Sequence, residues 1–151
     1  MVFDFATGTM DGVGFDAEPE KLERYGRPAN EKPHLDRRYA LPRFGMEVSV
    51  VKERVRGFTC VFSPYAGDTG LHSLPGFEPC RLTIVLPWGT RMAIGAQTSR
   101  DEMAEKLGLR LAEDPMEEMH AMTLESVWMG CSFDEMGRVV LIDFEPERAR
   151  G

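Results

Sequence analysis

The chain of 151 residues aligns with a displaced copy of itself, and this internal similarity limits the folds open to it. A shift of 82 residues places residues 13–64 on residues 95–146 without a gap, and nine of the 52 aligned positions are identical. The matched glycines, Gly26 and Gly108, each follow a predicted helix. Repetition on this scale is typical of two copies of one supersecondary unit packed together. We therefore predict an α+β protein of two tandem units, each a helix with an antiparallel hairpin, in one compact structure.

The boundaries of these units follow changes in composition. We predict a first α+β unit with an N-terminal arm at 1–64, a Pro- and Gly-rich connecting loop at 65–80, a second unit at 81–146 and a charged tail at 147–151. A chain of this length buries about two-thirds of its extended surface, so a sizeable core is expected.

Local patterns place the elements inside these units. Ser99 and Glu102 have the spacing of a capping box, which predicts a helix that ends at Gly108. Asp16 is the predicted N-cap of a shorter helix that Gly26 ends. Strands are predicted, from β-branched or alternating runs, at 46–51, 57–62, 81–87, 91–95, 126–133 and 138–145.

The second unit resembles a known module. It runs IGAQTSRDEMAEKLG, then a variable loop, then VWMGCSFDEMGRVVLIDFE. This pattern is similar to the small module of the SmpA/OmlA lipoproteins and of the β-lactamase inhibitory proteins. In the inhibitory proteins two such units lie in tandem. The residues that carry the resemblance are Ser99, Glu102, Leu107, Gly108, Trp128, Phe133, Asp134, Gly137 and Val139.

The resemblance implies non-catalytic protein binding through the face or cleft that the sheets present. The chain departs from those families in three respects: it shows no signal peptide, no lipidated N-terminal cysteine and no cysteine pair placed to staple each unit. Their secreted setting is therefore not carried over.

The charge of the chain is unevenly distributed. Residues 18–58 carry a net charge of +3, whereas residues 98–147 carry −9. A segment with that negative charge repels nucleic acid and attracts a basic protein surface. A simple solvated face is the alternative interpretation.

Within the acidic half, methionines recur every three residues and predict an acidic helix at 115–123 or a mobile acidic loop. An apolar strip with an acidic rim would suit a basic partner. The predicted partner-binding residues of this strip are Glu113, Asp114, Met116, Glu117, Glu118, Met119 and Met122.

Three aromatic residues complete the predicted binding surface. Tyr65, Phe77 and Trp88 lie in or beside predicted loops, and large aromatic side chains are frequent anchors of protein interfaces. Each is equally consistent with a place in the protein's own core.

The sequence offers little for catalysis. It contains no phosphate-binding glycine loop and no metalloprotease or nucleophile-elbow motif. Three cysteines and three histidines are scattered singly, so neither a metal site nor a cofactor is expected. His72, in the loop, is the best-placed candidate base. Cys80 is followed by Arg81, which can lower a thiol pKa, and a buried thiol at the entry to a strand is the favoured alternative.

These observations support one main hypothesis and two alternatives. We predict a cytoplasmic, non-enzymatic binding protein without a membrane segment, in concrete form an immunity protein that neutralises a bacterial toxin with a basic surface. A small enzyme or small-molecule-binding domain with a pocket near His72 is one alternative. A subunit of a larger assembly is the other.

Overall fold

The computed structural model of the chain describes residues 1–29, 37–64, 70–109 and 120–147. Eleven strands lie in these ranges. They are β1 (Val2–Asp4), β2 (Thr9–Met10), β3 (Val13–Gly14), β4 (Arg37–Leu41), β5 (Met46–Val51), β6 (Arg54–Val61), β7 (Leu82–Val85), β8 (Arg91–Ile94), β9 (His120–Leu124), β10 (Val127–Phe133) and β11 (Val139–Pro146).

The strands form two sheets. The five-stranded sheet has the order β3–β2–β1–β7–β8, with β1 and β7 parallel and the other pairs antiparallel. The six-stranded sheet has the order β4–β5–β6–β11–β10–β9 and is antiparallel throughout. Strands from both halves of the chain therefore meet at the centre of each sheet.

The predicted α+β class is wrong, because the described chain is mostly β-structure. It contains one α-helix, α1 (Arg100–Leu107), and three 3-10 helices at Pro19–Tyr25, Pro42–Phe44 and Leu71–Ser73. The predicted first helix is the 3-10 segment Pro19–Tyr25, whose N-cap makes no side-chain hydrogen bond. A short segment without a cap gains too little to form a stable α-helix.

The helix prediction at 115–123 is also corrected in part. Residues 110–119 lie outside the described ranges, but His120–Leu124 is strand β9, paired with β10. The spacing of the methionines does not produce a helix at this end, because cross-strand pairing with β10 fixes the segment instead. The sequence predicts an irregular arm or a short edge strand for the first dozen residues. They supply β1 and β2, and β1 is not an edge strand because it lies between β2 and β7.

Other predictions are confirmed. Ser99 accepts a hydrogen bond from the Glu102 amide at 3.1 Å, the Glu102 carboxylate accepts one from the Ser99 amide at 3.3 Å, and Gly108 ends α1 in the left-handed region. Strands β5, β6, β7, β8, β10 and β11 occupy the predicted runs within a few residues.

The main core lies on the inner face of the six-stranded sheet, against the five-stranded sheet. Phe3 of β1 stacks on Phe144 of β11 with ring centroids 4.0 Å apart, and Phe5 meets both rings edge-on. A smaller cluster on the opposite face of the six-stranded sheet joins Val61 and Leu141 to Leu71.

The 82-residue shift matches core-facing residues in β6 and β11 but not in β5 and β10. Cys60 and Phe62 correspond to Ile142 and Phe144, and all four face the main core. In β5 and β10, however, the same shift matches core-facing Val48 with Gly130, a neighbour of Asp143 on the other face. A one-residue slip reverses the faces of a strand, so the repeat requires a gap at the hairpin turns. The division into two separate units stays a prediction.

Gly45 lies directly against the backbone of Glu78 and Cys80, in the segment that leads from the six-stranded sheet to β7. Its φ is +61°, and a Cβ added there would lie 2.6 Å from the Glu78 carbonyl oxygen and 2.9 Å from the Cys80 Cα. Left-handed strain and a clash with backbone should lower the free energy of unfolding of Gly45→Ala by about 2–4 kcal/mol in urea titrations.

Gly95→Ala is the matched control. A Cβ at Gly95 meets no atom within 4 Å, so this variant should stay within about 0.5 kcal/mol of the wild type. Equal stability of the two variants would contradict the tight approach at Gly45.

Candidate functional site

A half-open cleft of about 820 Å³ lies where two 3-10 helices meet the segment that leads into β7. Arg24 and Tyr25 come from the first helix, Arg43 and Phe44 from the second, and Arg81 from the segment before β7. Its volume is within the range of ordinary ligand pockets. Met1, Asp11, Gly95 and Ala96 also line it, so the cleft is built from six separate stretches of the sequence.

Tyr25 is held rigidly at the cleft wall. Its hydroxyl donates a 2.6 Å hydrogen bond to the Asp11 carboxylate, and its ring meets Phe44 edge-on with centroids 5.2 Å apart. Burial, followed by the hydrogen bond to Asp11, raises the pKa of Tyr25 well above its ordinary value. The phenol therefore remains protonated, and the two rings form a fixed aromatic surface.

The wall of the cleft opposite Tyr25 is formed by the second 3-10 helix, and backbone contacts join this helix to the segment before β7. The Pro42 carbonyl accepts a hydrogen bond from the Glu78 amide at 2.9 Å, and Gly45 closes the second helix in the left-handed region. The first residue of that helix is a proline, whose missing N–H costs nothing there. This short turn places Arg43 and Phe44 side by side at the cleft.

The electrostatics of the cleft favour an anion. Arg24 donates to the Asp11 carbonyl and lies over the Tyr25 ring, 5.7 Å from its centroid. Across the described part of the chain, neither Arg43 nor Arg81 forms an ion pair with a carboxylate. Three guanidinium groups thus face two carboxylates, Asp11 and Glu78, of which Asp11 already accepts hydrogen bonds from Tyr25 and from a backbone amide.

A second polar feature lies on the outer face of the six-stranded sheet, opposite the main core. Arg38 donates to Glu47 at 3.0 Å and to Thr59 at 3.5 Å, and Thr59 donates to Asp143 at 2.5 Å. We call these four residues the polar row. Glu47 and Thr59 are buried, and burial raises the pKa of Glu47 although Arg38 acts in the opposite direction.

The described residues include three of the predicted contacts. Trp88 is 65% exposed in the turn between β7 and β8, Phe77 packs against the small outer cluster, and Met122 packs against the main core. None of the three lines the cleft. The remaining predicted contacts lie outside the described ranges: Tyr65, Glu113, Asp114, Met116, Glu117, Glu118 and Met119.

The two candidate chemical residues of the connecting loop are separated. His72 lies in the 3-10 helix Leu71–Ser73, and its buried Nδ1 makes no hydrogen bond within the described residues. Cys80 instead lies at the floor of the cleft. The pocket therefore forms around Cys80 rather than His72.

The residues of the cleft were largely missed from sequence. Arg24, Arg43 and Arg81 are too far apart along the chain for any motif, and Tyr25 lies within the predicted first helix, where no local pattern indicates binding. The usable signal was the local charge of +3 over residues 18–58, which contains two of the three arginines.

Sequence comparisons find no relative. No protein-family model matches the chain, and no curated protein matches it. Solved structures do match. A DUF4309 family protein (YjgB) from Bacillus subtilis is 10% identical with a TM-score of 0.52, over 90% of this chain and 83% of that one.

Two further solved structures are larger. An extracellular protein containing an SCP domain from Bacillus anthracis is 13% identical with a TM-score of 0.55, over 95% of this chain and 47% of that one. A cysteine-rich secretory protein (SAV1118) from Staphylococcus aureus is 9% identical with a TM-score of 0.45, over 99% and 51%. The chain thus spans about half the length of these two proteins.

The similarities to the two Bacillus proteins show a shared fold alone. The SmpA/OmlA lipoproteins and the β-lactamase inhibitory proteins are not among the three, so that resemblance stays a prediction. Among the described helices, none has the length and apolar character needed to cross a membrane.

Glu47 of the polar row gives a pH prediction. Since its pKa is raised above 4.5 in the folded protein, the folded state holds this proton more tightly than the unfolded chain. The stabilising effect is fully present below pH 4.5 and is lost as pH rises through the raised pKa. The free energy of unfolding of wild type minus that of Glu47→Gln should therefore fall as pH rises from about 4 through the raised pKa toward neutral pH.

Urea titrations across that range measure this difference. Thr59→Ser keeps the hydroxyl and alters no titratable group, so its difference from wild type should not change with pH. A wild-type minus Glu47→Gln difference that rises with pH would contradict the raised pKa.

Proposed function

We propose that this chain is a non-catalytic binding protein whose cleft holds an acidic segment of a partner protein. The observation that carries the proposal is the placement of Arg43 and Arg81, without carboxylate partners among the described residues, beside the Tyr25–Phe44 pair. Guanidinium groups bind carboxylates through paired hydrogen bonds, so an acidic segment satisfies both arginines.

The residue types of the cleft favour a protein as the occupant. Tyrosine and arginine are the side chains most often found to dominate the binding energy of protein interfaces. The edge-on rings offer an apolar contact next to the charges, which suits a segment with an aromatic or aliphatic residue beside Asp or Glu. Complementary charge also speeds association and disfavours wrong partners.

This proposal changes the expected charge of the partner. Of the acidic strip that favoured a basic partner, only Met122 is described, and it packs against the main core, whereas the cleft favours an acidic partner. The resemblance to inhibitory modules supports protein binding through a cleft between sheets. Immunity against a toxin remains part of the proposal, as the case in which the bound partner is harmful by itself.

A small anionic molecule is the second candidate occupant. The cleft volume of about 820 Å³ is typical of small-molecule sites, and the arginines would bind a carboxylate or phosphate group equally well. A small-molecule-binding domain is therefore the alternative proposal, with its pocket next to Cys80 rather than next to His72 as the sequence predicts.

We also propose a cytoplasmic location. The support is that Cys60, Cys80 and Cys131 are all free and buried, as reduced thiols of intracellular proteins commonly are. The structurally similar SCP-domain protein is described as extracellular, so an extracellular location is the alternative that the experiment distinguishes. Fractionation of the producing cell, followed by immunodetection, tests it.

Affinity capture with three charge variants tests the binding surface. The tagged protein is used to isolate partners from its own host, and the captured protein is then purified for titration. Arg43→Glu/Arg81→Glu should weaken its binding at least tenfold, because both arginines then repel the acidic segment. Binding to the wild type should also weaken as salt increases.

Arg91→Glu is the matched control, since Arg91 is an exposed arginine of β8 outside the cleft. Glu117→Lys/Glu118→Lys tests the acidic strip. Loss of binding only in this last variant would move the interface there and refute the cleft. A partner retained equally by all variants would also refute it, and a monomer that captures no protein would favour the small anion.

A further inference from the structure

Two of the three cysteines lie next to each other beneath the cleft. Cys60 of β6 is fully buried, and Cys80 is 1% exposed at the cleft floor. The Cys80 thiol is the largest influence on the pKa of Cys60, which it raises, so the two side chains are neighbours, and both cysteines are free.

The backbone holds the two cysteines in place. The Cys80 amide donates a 2.8 Å hydrogen bond to the carbonyl of Val61, the residue that follows Cys60. The Val61 amide in turn donates to Gly45 at 2.7 Å, and Gly45 packs directly against the Cys80 backbone. Gly45 precedes Met46, the cross-strand partner of Cys60. Cys80 is therefore fixed beside the strand that carries Cys60.

We propose that Cys60 and Cys80 close to an intramolecular disulfide when the protein folds in a thiol-oxidising medium. The bond would tie β6 of the six-stranded sheet to the segment that enters β7 of the five-stranded sheet. The bond would also hold in place the backbone of Cys80 and Arg81, which line the cleft. This inference is independent of what the cleft binds.

The spacing of the strands excludes a disulfide between Cys131 and Cys60. Cys131 of β10 lies in the same cross-strand row as Cys60, but Ile142 of β11 stands between them. Two strand spacings amount to about 9.6 Å, which exceeds the roughly 7 Å that a disulfide can bridge between Cα atoms. Cys131 should therefore remain a thiol.

The oxidant is a small-molecule disulfide such as oxidised glutathione. One cysteine thiolate attacks a sulfur of the oxidant, forms a mixed disulfide and expels one small thiolate. The second cysteine thiolate then attacks the protein sulfur of that mixed disulfide and expels the other. The cysteine pair loses two electrons, the oxidant gains them, and the two protons end on the two released thiols.

The folded state slows this exchange. The hydrogen bond between the thiols, and then burial, hold the pKa of Cys60 well above its ordinary range. Thiolate is thus scarce at neutral pH, and the reaction should be fastest at alkaline pH or while the chain is still folding.

The experiment is refolding from urea at pH 8 in a mixture of oxidised and reduced glutathione. After acid quench, remaining thiols are alkylated in denaturant and counted by intact mass and peptide mapping. The wild type should lose two of its three thiols and yield a peptide that links Cys60 to Cys80. Its thermal midpoint should rise by about 5–10 °C over the reduced protein.

Variants separate this pair from general oxidation. Cys131→Ser should form the same bond and lose both remaining thiols, whereas Cys60→Ser and Cys80→Ser should each keep both. Three alkylated thiols in the refolded wild type, or a link to Cys131, would overturn the proposal. Because the wild-type thiol count is decisive by itself, a variant that fails to fold does not remove the test.

Discussion

The contact on which the two-sheet structure depends is the stack of Phe3 on Phe144, 4.0 Å between ring centroids. Phe3 belongs to the first strand of the chain and Phe144 to the last, so the stack joins the five-stranded sheet to the six-stranded sheet. Both rings are fully buried, and replacing a buried phenylalanine by alanine typically costs 3–5 kcal/mol. Because β1 pairs in parallel with β7, the stack also links β7, in the second half of the chain, to the six-stranded sheet.

The cleft is a consequence of that packing. β1 pairs with β2, and the residue after β2, Asp11, holds the Tyr25 hydroxyl. The other wall is joined to the six-stranded sheet through Gly45 and Val61, and to the segment before β7 through the Cys80 amide. The guanidinium groups therefore converge only because turns from both sheets meet there, and the charge of the cleft is a property of the assembled fold.

Among the described residues, the buried side-chain polar atoms have hydrogen-bond partners, with the Nδ1 of His72 as the exception. On the outer face, Arg38 pairs with the buried Glu47 and also donates to Thr59, which in turn donates to Asp143. Beneath the cleft the corresponding positions are Cys60 and Cys80, small and weakly polar, which pack without a charge partner. The same fold thus contains a charged row on one face and a redox-sensitive pair on the other.

The sequence by itself determined the elements whose signals are local. α1 is specified by the capping box at Ser99 and by Gly108, and the β10–β11 hairpin by alternation around a turn, since each signal lies within one element. Only the tertiary structure decided the rest. β1 to β3 are too short to show a period, β9 is a strand because β10 pairs with it, and the cleft unites Arg43 with Arg81 across 38 positions. Strand pairing and side-chain convergence depend on contacts between distant residues, which local patterns do not encode.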